Sequence, residues 1–458
     1  MLCGHARCRF LRFWNARIPY YAEFLRHRSE CEVMNKHLKF ILAALLLALF
    51  PAPAGAEMQV RPGERLDLQR CVQIALRNHP AVQAARDTIR IGESRVGQAK
   101  ASYYPEINWQ TDYTRFNRSR AGRNTFEDYN SSVVLSQTLL DFGRRRSSVN
   151  IEKLSTDAFR QDLDDTEAEI VFGVKSAYFT TLLAEKNQQV AVETVGRFQH
   201  HLTQAKGFFE VGIKPKFDVT KAEVDLSNAV LNRIKAENDL RIARVVLNNA
   251  MGLPGASGYV LEDSLLFKDN PTDLPDALER AFRNRPDLQS IRKKLSAAEE
   301  SVELARKGYY PHVTGSAGYG FSGEDFPLQE GWNVGAFLNV PLFSGFETRY
   351  AVEGARATLE VLRTNESSLR QSIRLEVEQA LSNLREARER REATLVAVRQ
   401  AEENAELAEG RYEAGVGNPI EVTDALVSLS NARTAYASAL ADFRIAQAGL
   451  ERAVGETF

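Results

Sequence analysis

Two kinds of hydrophobic spacing alternate along the chain, and they recur in the same order in its second half. In the first kind, apolar residues lie three and four positions apart, which is typical of helices that pack along one face. In the second, they lie two positions apart, which is typical of strands with one apolar face. The clearest helical seams are Val82, Ala85, Ile89, Gly92, Val96, Ala99 and Leu288, Ile291, Leu295, Ala298, Val302, Ala305. This seven-residue repeat predicts coiled-coil-like packing between neighbouring helices.

The period-two segments predict four β-strands, at about residues 105–117, 129–141, 311–321 and 331–343. In the first strand, for example, Trp109 and Tyr113 alternate with Gln110 and Asp112. Segments of about ten residues with this alternation are typical of outer-membrane β-barrels. Four strands cannot close a barrel, and an open edge cannot face lipid, so the chain is predicted to supply a fraction of a barrel. Three copies would give a twelve-stranded barrel. The alternative is a half-buried hairpin lying on a soluble helical domain.

Two charged stretches without proline predict helices that are far longer than ordinary globular helices, at about 143–207 and 345–411. Both are rich in Ala, Leu, Glu, Arg and Gln, which are strong helix formers. With a rise of 1.5 Å per residue, some 60 residues would extend roughly 90–100 Å. Each is followed by a second predicted helix, at about 216–251 and 419–453. The alternative is a fibrous coiled coil, which the inserted strand pairs disfavour.

The two halves of the chain are related by duplication. Residues 75–105 match residues 281–311 without a gap, and 12 of the 31 positions are identical. Residues 209–252 match residues 412–455, with 18 of 44 positions identical. A repeat of about 200 residues is too long for a solenoid unit, so it predicts a duplicated half-domain. Its predicted parts are a first repeat at 57–252, a linker at 253–274 and a second repeat at 275–455.

The N-terminal region has the features of an export signal. Residues 40–50 are apolar, follow Lys36 and Lys39, and precede Ala54-Gly55-Ala56. This apolar run is too short to span a bilayer. A basic segment, a short apolar core and an A-x-A site together predict a cleaved signal peptide at residues 34–56. Residues 1–33 are interpreted as an upstream extension.

The charge balance and the chemistry of the remaining chain exclude several classes of function. After cleavage, 51 basic and 57 acidic residues would remain, which argues against nucleic acid as a partner. Cys71 would be the one cysteine left, so no intramolecular disulfide is expected. The four histidines have no metal-site spacing with Cys, Asp or Glu, and a G-x-G-x-x-G string at 318–323 precedes Pro327 rather than a helix. We therefore predict no catalytic residue, no metal, no cofactor and no enzyme activity.

Several of these motifs resemble those of the TolC-type outer-membrane efflux proteins. The resemblance covers the duplicated N-x-P…YYP units, the strand ends at 137–143 and 340–345, and the turns Val211-Gly212-Ile213 and Ala414-Gly415-Val416. It implies an α+β membrane protein that forms a homotrimer: a twelve-stranded barrel in the outer membrane of a Gram-negative bacterium, continued by a long periplasmic α-helical barrel.

The same resemblance implies a passive exit duct of a tripartite efflux or type I secretion system, which carries small molecules or polypeptides. Its partners would be outer-membrane lipid, a periplasmic adaptor and an inner-membrane pump. The alternatives are a non-conducting structural protein of the envelope and a periplasmic adaptor, which also has long helical hairpins.

Candidate gate residues follow from the resemblance at the second turn. The family's two acidic rings fall on Glu421 and Asp424, which are three residues apart and so share a helix face. Three copies would stack two carboxylate rings, which favour cations. The alternative is that both residues are helix-start acids that complement the helix dipole.

The resemblance also places a polar latch between the two turns, on Tyr412 and Asp218. The family's latch arginine falls on Gly417 here, and Lys214 or Lys216 are candidate substitutes. Tyr412 is alternatively a packing residue, like its repeat counterpart Phe209. The turns themselves are the candidate adaptor contacts, namely Val211, Gly212, Ile213, Ala414, Gly415, Val416 and Gly417.

Overall fold

The computed structural model describes residues 61, 63–117, 125–255, 258–263 and 273–456. The predicted extension at 1–33 and the predicted signal peptide at 34–56 lie outside these residues. Within the described ranges, no helix combines the length and the hydropathy that a membrane span requires.

The described residues form two halves with the same order of elements. The first half contains β1 (Arg65–Leu66), α1 (Leu68–Asn78), α2 (Pro80–Ala101), β2 (Glu106–Phe116), β3 (Phe126–Leu140), α3 (Arg144–Glu210) and α4 (Lys216–Ala250). The second contains β4 (Val260–Leu261), α5 (Leu274–Asn284), α6 (Pro286–Arg306), β5 (His312–Gly323), β6 (Gln329–Asn339), α7 (Glu347–Glu413) and α8 (Pro419–Ala453). Both long helices, α3 and α7, have 67 residues, and both α4 and α8 have 35. The predicted duplication, the four strands and the very long helices are confirmed.

The four long strands form one antiparallel sheet in the order β2-β3-β5-β6. Its register aligns Trp109 with Val133, Val133 with Tyr319, and Tyr319 with Trp332, so apolar side chains cover one face. Trp109 is 75% exposed and Trp332 is 77% exposed. The opposite face carries polar and small residues. Within the described chain, β2 and β6 each pair on one side only.

A sharp turn connects the sheet to each long helix. In the first turn, Phe142 and Gly143 have φ of 52° and 84°, and in the second, Gly345 and Phe346 have φ of 61° and 68°. Both turns therefore need two consecutive left-handed residues, and each uses one glycine and one phenylalanine, in opposite order. Glycine adopts this conformation freely, whereas a residue with a Cβ atom is strained by about 1–2 kcal/mol.

The long helices are held by separate cores along their length. One core, at β1 and α1, contains Leu66, Val72, Tyr178, Leu247 and Met251. A second core packs α5 and α6 against α7 and α8, and a third joins the ends of α3, α4, α7 and α8 far from the sheet. The parallel pair β1–β4 links the two halves beside the first core. Because the third core contains residues of α3, α4, α7 and α8, it packs the tips of these four helices against one another.

Candidate functional site at the helix tips

Two tip turns lie at the ends of the helical hairpins. The first tip turn, residues 211–215, joins α3 to α4, and the second tip turn, residues 414–418, joins α7 to α8. In the first, the amides of Ile213 and Lys214 donate to the Phe208 carbonyl, at 2.9 and 3.3 Å. In the second, the amides of Val416 and Gly417 donate to the Arg411 carbonyl, at 3.1 and 2.9 Å. Equivalent positions of the repeat thus form the same helix-end turn.

The tip turns present apolar side chains to solvent. Val211, Ile213 and Val416 are exposed. Gly212, Ala414 and Gly415 are exposed as well, whereas Gly417 is buried. Of the seven candidate contact residues, six are therefore accessible at the tips.

Gly417 leaves no room for a side chain. A Cβ atom at this position would lie 2.7 Å from the Tyr412 nitrogen and 2.9 Å from the Arg411 carbonyl carbon. An arginine here would force the turn away from the end of α7. Lys214, the repeat counterpart of Gly417, instead donates from Nζ to the Gly417 carbonyl at 3.1 Å. Its ammonium also lies 5.7 Å from the centre of the Tyr412 ring, within cation–π range.

Tyr412 and Asp218 lie in the same buried region. Tyr412 is fully buried, with its ring centre 4.8 Å from that of His201 and 5.6 Å from that of Phe208. Asp218 is 4% exposed. Burial raises the pKa of Tyr412, and the negative charge of Asp218 adds to the rise. Within the described chain, the Tyr412 hydroxyl has no hydrogen-bond partner, so the structure brings the two residues together without a direct bond.

A second buried polar group beside Tyr412 was missed by the sequence reasoning. Thr423 Oγ1 donates to Asp225 Oδ2 at 2.8 Å, and Lys221 Nζ donates to Asp225 Oδ1 at 2.5 Å. His201 is 3% exposed, and its Nδ1 has no partner in the described chain. The one signal in the sequence was the spacing of Lys221 and Asp225, four residues apart on a helix. The group ties α4 to α8 beneath the tip turns.

Glu421 and Asp424 are both exposed on the first two turns of α8. Arg411, in the last turn of α7, places Nε 3.6 Å from Glu421 Oε2. Asp424 forms no hydrogen bond or ion pair with the described residues. The two acids therefore share a face, but their surroundings differ. Among the described residues, no cluster of three or more His, Cys, Asp or Glu side chains has the geometry of a metal site.

Comparison with known proteins identifies the family. The family model described as outer membrane efflux protein matches residues 71–253 and 277–456, one segment in each half.

The chain belongs to the outer membrane efflux protein family.

Individual members of this family resemble the chain over most of its length. CyaE of Bordetella pertussis is 29% identical over 420 residues, which cover 88% of each chain. TolC of Vibrio cholerae is 24% identical over 374 residues, covering 79% of this chain and 84% of TolC. TolC of Escherichia coli is 23% identical over 441 residues, covering 92% and 86%.

Solved structures of outer membrane channels share the fold. The CmeC channel of Campylobacter jejuni aligns with a TM-score of 0.73 and 18% identity, covering 85% of this chain and 86% of CmeC. The open state of the MtrE channel of Neisseria gonorrhoeae aligns with a TM-score of 0.72 and 20% identity, covering 85% and 88%.

Membership of the outer membrane efflux protein family confirms the predicted class of function. The protein is an outer-membrane channel of the efflux and type I secretion type, and it is a transporter rather than an enzyme. The sheet is its outer-membrane part, and the long helices are its periplasmic part. The non-conducting envelope protein and the periplasmic adaptor are therefore excluded.

Proposed function

We propose that three copies of this chain form a passive exit duct, with a twelve-stranded barrel in the outer membrane and a long α-helical barrel in the periplasm. The observation that carries the proposal is the four-stranded sheet with one apolar face and two open edges, β2 and β6. In lipid, every backbone group needs a partner, so these edges must pair with strands of other copies. Polar residues on the opposite face would then line a water-filled lumen.

The helices support the same assembly. On α4, exposed apolar side chains recur at seven-residue intervals, namely Phe217, Val224, Leu231 and, two intervals later, Val245. This spacing is that of a coiled-coil seam, and none of the described residues covers the seam. Exposed apolar residues also lie along α7, namely Val361, Leu375, Val396 and Leu407. In the proposed trimer, α4 of one copy packs against α7 of the next.

The tips form the proposed periplasmic mouth of the duct. Glu421 and Asp424 would line it as two acidic rings, and Tyr412 and Asp218 would belong to the network that holds it closed. Lys214 supports this proposal, because it joins the first tip turn to the second through the Gly417 carbonyl. It is thus a candidate for the role of the missing arginine.

The exposed tip turns are the proposed contact with a periplasmic adaptor, which couples the duct to an inner-membrane pump. Exposed apolar side chains at Val211, Ile213 and Val416 favour a protein partner there. Energy for transport would come from the pump, and the cargo would be small molecules or polypeptides. We also propose a signal peptide at 34–56 that exports the chain, and repeats at 57–252 and 275–455.

The test is single-channel conductance of the detergent-purified protein in planar bilayers, comparing wild type with Glu421→Ala/Asp424→Ala. Discrete, cation-selective openings are expected, and in the double variant they should become larger and lose selectivity. If the substitutions leave the openings unchanged, the gate is formed by residues other than these two acids. No current at all from a folded, correctly assembled protein would contradict the conducting duct.

A further inference from the structure

The two acids of the proposed mouth differ in whether a cationic side chain lies beside them. Arg411 Nε lies 3.6 Å from Glu421 Oε2, and the two side chains are 60% and 52% exposed. Asp424 is exposed one turn further along α8 and has no such partner in the described chain. A mouth with two equal acidic rings is therefore not what the geometry supports.

The second tip turn brings Arg411 close to α8. Both Val416 and Gly417 donate their amides to the Arg411 carbonyl, so this residue anchors the turn. Gly417 packs against the same peptide group, at a separation that only glycine allows. The chain then enters α8 at Pro419, and its first acidic residue, Glu421, lies beside the Arg411 side chain. The backbone path thus brings the two side chains within reach of each other.

We propose that Arg411 sets the ion preference of the channel mouth by neutralising Glu421, which leaves Asp424 as the ring that selects cations. The inference rests on the trimeric mouth proposed above. With three copies of each residue, the arginines halve the net negative charge that the six carboxylates would otherwise carry. Arg411 is a specificity-determining residue on this account, although it lies outside the acidic rings themselves.

An exposed ion pair contributes little to stability, so fold stability is not the expected role of Arg411. A passing ion, however, experiences the summed charge of the constriction. A unit charge at about 8 Å in water changes the local concentration of a monovalent ion roughly twofold. The effect is screened over about 10 Å at 0.1 M salt and about 3 Å at 1 M. Selectivity measured at low salt is therefore the sensitive readout.

The experiment measures reversal potentials in a KCl gradient around 0.1 M for Arg411→Gln, Glu421→Gln, Asp424→Asn and the double variant Arg411→Gln/Glu421→Gln. Arg411→Gln is expected to raise the K⁺/Cl⁻ permeability ratio about twofold or more, and 1 M salt should abolish the change. Asp424→Asn and Glu421→Gln should each lower the ratio, because either change removes three carboxylates and leaves the three Arg411 charges in place. The double variant, which removes a neutral pair, should return close to wild type.

Arg399→Gln is the matched control, because Arg399 is exposed on α7, twelve residues and about 18 Å before Arg411. Arg411→Lys keeps the positive charge and should behave as wild type. A change that is seen in Arg411→Gln but not in Arg411→Lys is then due to the lost charge rather than to the lost arginine side chain. If Asp424→Asn alters selectivity but Arg411→Gln matches Arg399→Gln, the role of Arg411 is overturned and the acidic mouth stands. If none of the mouth variants alters selectivity, the proposed mouth itself fails.

Discussion

His201, Asp225, Thr423 and Tyr412 come from four different helices and meet in the interior behind the tip turns. Asp225 is fully engaged, with Lys221 on one oxygen and Thr423 on the other. The imidazole Nδ1 of His201 and the hydroxyl of Tyr412 are buried without partners in the described chain. Buried polar atoms that lack partners are destabilising. This part of the tips is therefore packed less favourably than the apolar cores nearer the sheet.

We expect His201 to make this region sensitive to acid. Burial lowers the pKa of His201; Lys221 and His200 act in the same direction, while Asp225 and Asp218 oppose them. A histidine whose folded pKa lies below its unfolded value near 6.5 binds more protons when unfolded. Its contribution to stability is therefore present at neutral pH and lost as the pH falls below about 6.5. We expect the unfolding temperature in detergent to fall between pH 7 and pH 5, with a smaller slope in His201→Gln.

The neighbouring His200 is the matched control for this titration, because it is exposed on the same helix. His200→Gln removes the smallest of the influences on His201, so its slope of unfolding temperature against pH should stay close to that of the wild type. Equal slopes in His201→Gln and the wild type would mean that other groups carry the acid sensitivity.

Some features of the tips could be predicted from local motifs, whereas contacts between distant residues could not. The positions of Glu421, Asp424 and the tip turns follow from motifs that are local in the chain. The ion pair of Arg411 with Glu421 depends on the geometry of a turn, and the bond of Asp225 with Thr423 joins residues 198 positions apart. No local pattern encodes such contacts, because they exist only after the four helices have packed.

At the scale of elements, the duplicated strand-to-helix turns differ in how they are held. Asp141 accepts hydrogen bonds from the amides of Gly143 and Arg145, at 3.1 and 2.9 Å, and forms an ion pair with the Arg145 side chain at 2.9 Å. At the equivalent place in the second half, the hydroxyls of Ser344 and Thr348 are 3.5 Å apart. The first turn is thus fixed by a buried carboxylate at the start of α3, and the second by a weak hydroxyl contact.

This difference predicts unequal effects of matched substitutions. Asp141→Ala removes two bonds to helix-start amides and leaves the partly buried Arg145 without its carboxylate, so we expect a loss of about 1–3 kcal/mol. Ser344→Ala removes one weak contact at an exposed site and should cost less than about 0.5 kcal/mol. Thermal unfolding in detergent, followed by far-ultraviolet circular dichroism, measures both. Equal losses in the free energy of unfolding would contradict this prediction, because they would show that the two turns contribute equally to stability.

Periodicity predicted the elements well, because each strand and helix exposes one repeating face over many residues. The same logic could not predict the left-handed Phe142 and Phe346, since propensity favours glycine at both positions. It also could not predict the register shift between Thr138 and Leu140, where β3 ends beside the turn into α3. Both features lie where the chain passes from the sheet into a long helix, and their geometry depends on contacts made in the assembled fold.

At the scale of the whole molecule, strand number and helix seam point to the same assembly. In the part of the chain that the structure describes, the four strands leave two unpaired edges, and the apolar seam of α4, which repeats every seven residues, stays exposed. Either feature alone would be compatible with several partners. A second copy of the chain satisfies both, because β2 can meet β6 where α4 meets α7. The barrel and the helices are therefore expected to assemble together rather than separately.

The seam on α4 provides the test of this coupling. Leu231 lies at the centre of the seam and is 63% exposed in one chain. In the proposed trimer, Leu231→Glu would bury an unpaired carboxylate, a change that typically costs several kcal/mol at each of three interfaces. Light scattering of the detergent-purified protein should give a trimer for the wild type and a monomer for Leu231→Glu, and the monomer should conduct no current in bilayers.

Val192 on α3 is the matched control, because it is 49% exposed and lies on a helix that α4 and α8 flank within the same chain. Val192→Glu introduces the same apolar-to-acid change and should leave the trimer and its conductance intact. Dissociation of both variants would indicate a general loss of fold. A Leu231→Glu protein that stays trimeric would place the interface elsewhere and leave the open strand edges as the main cause of assembly.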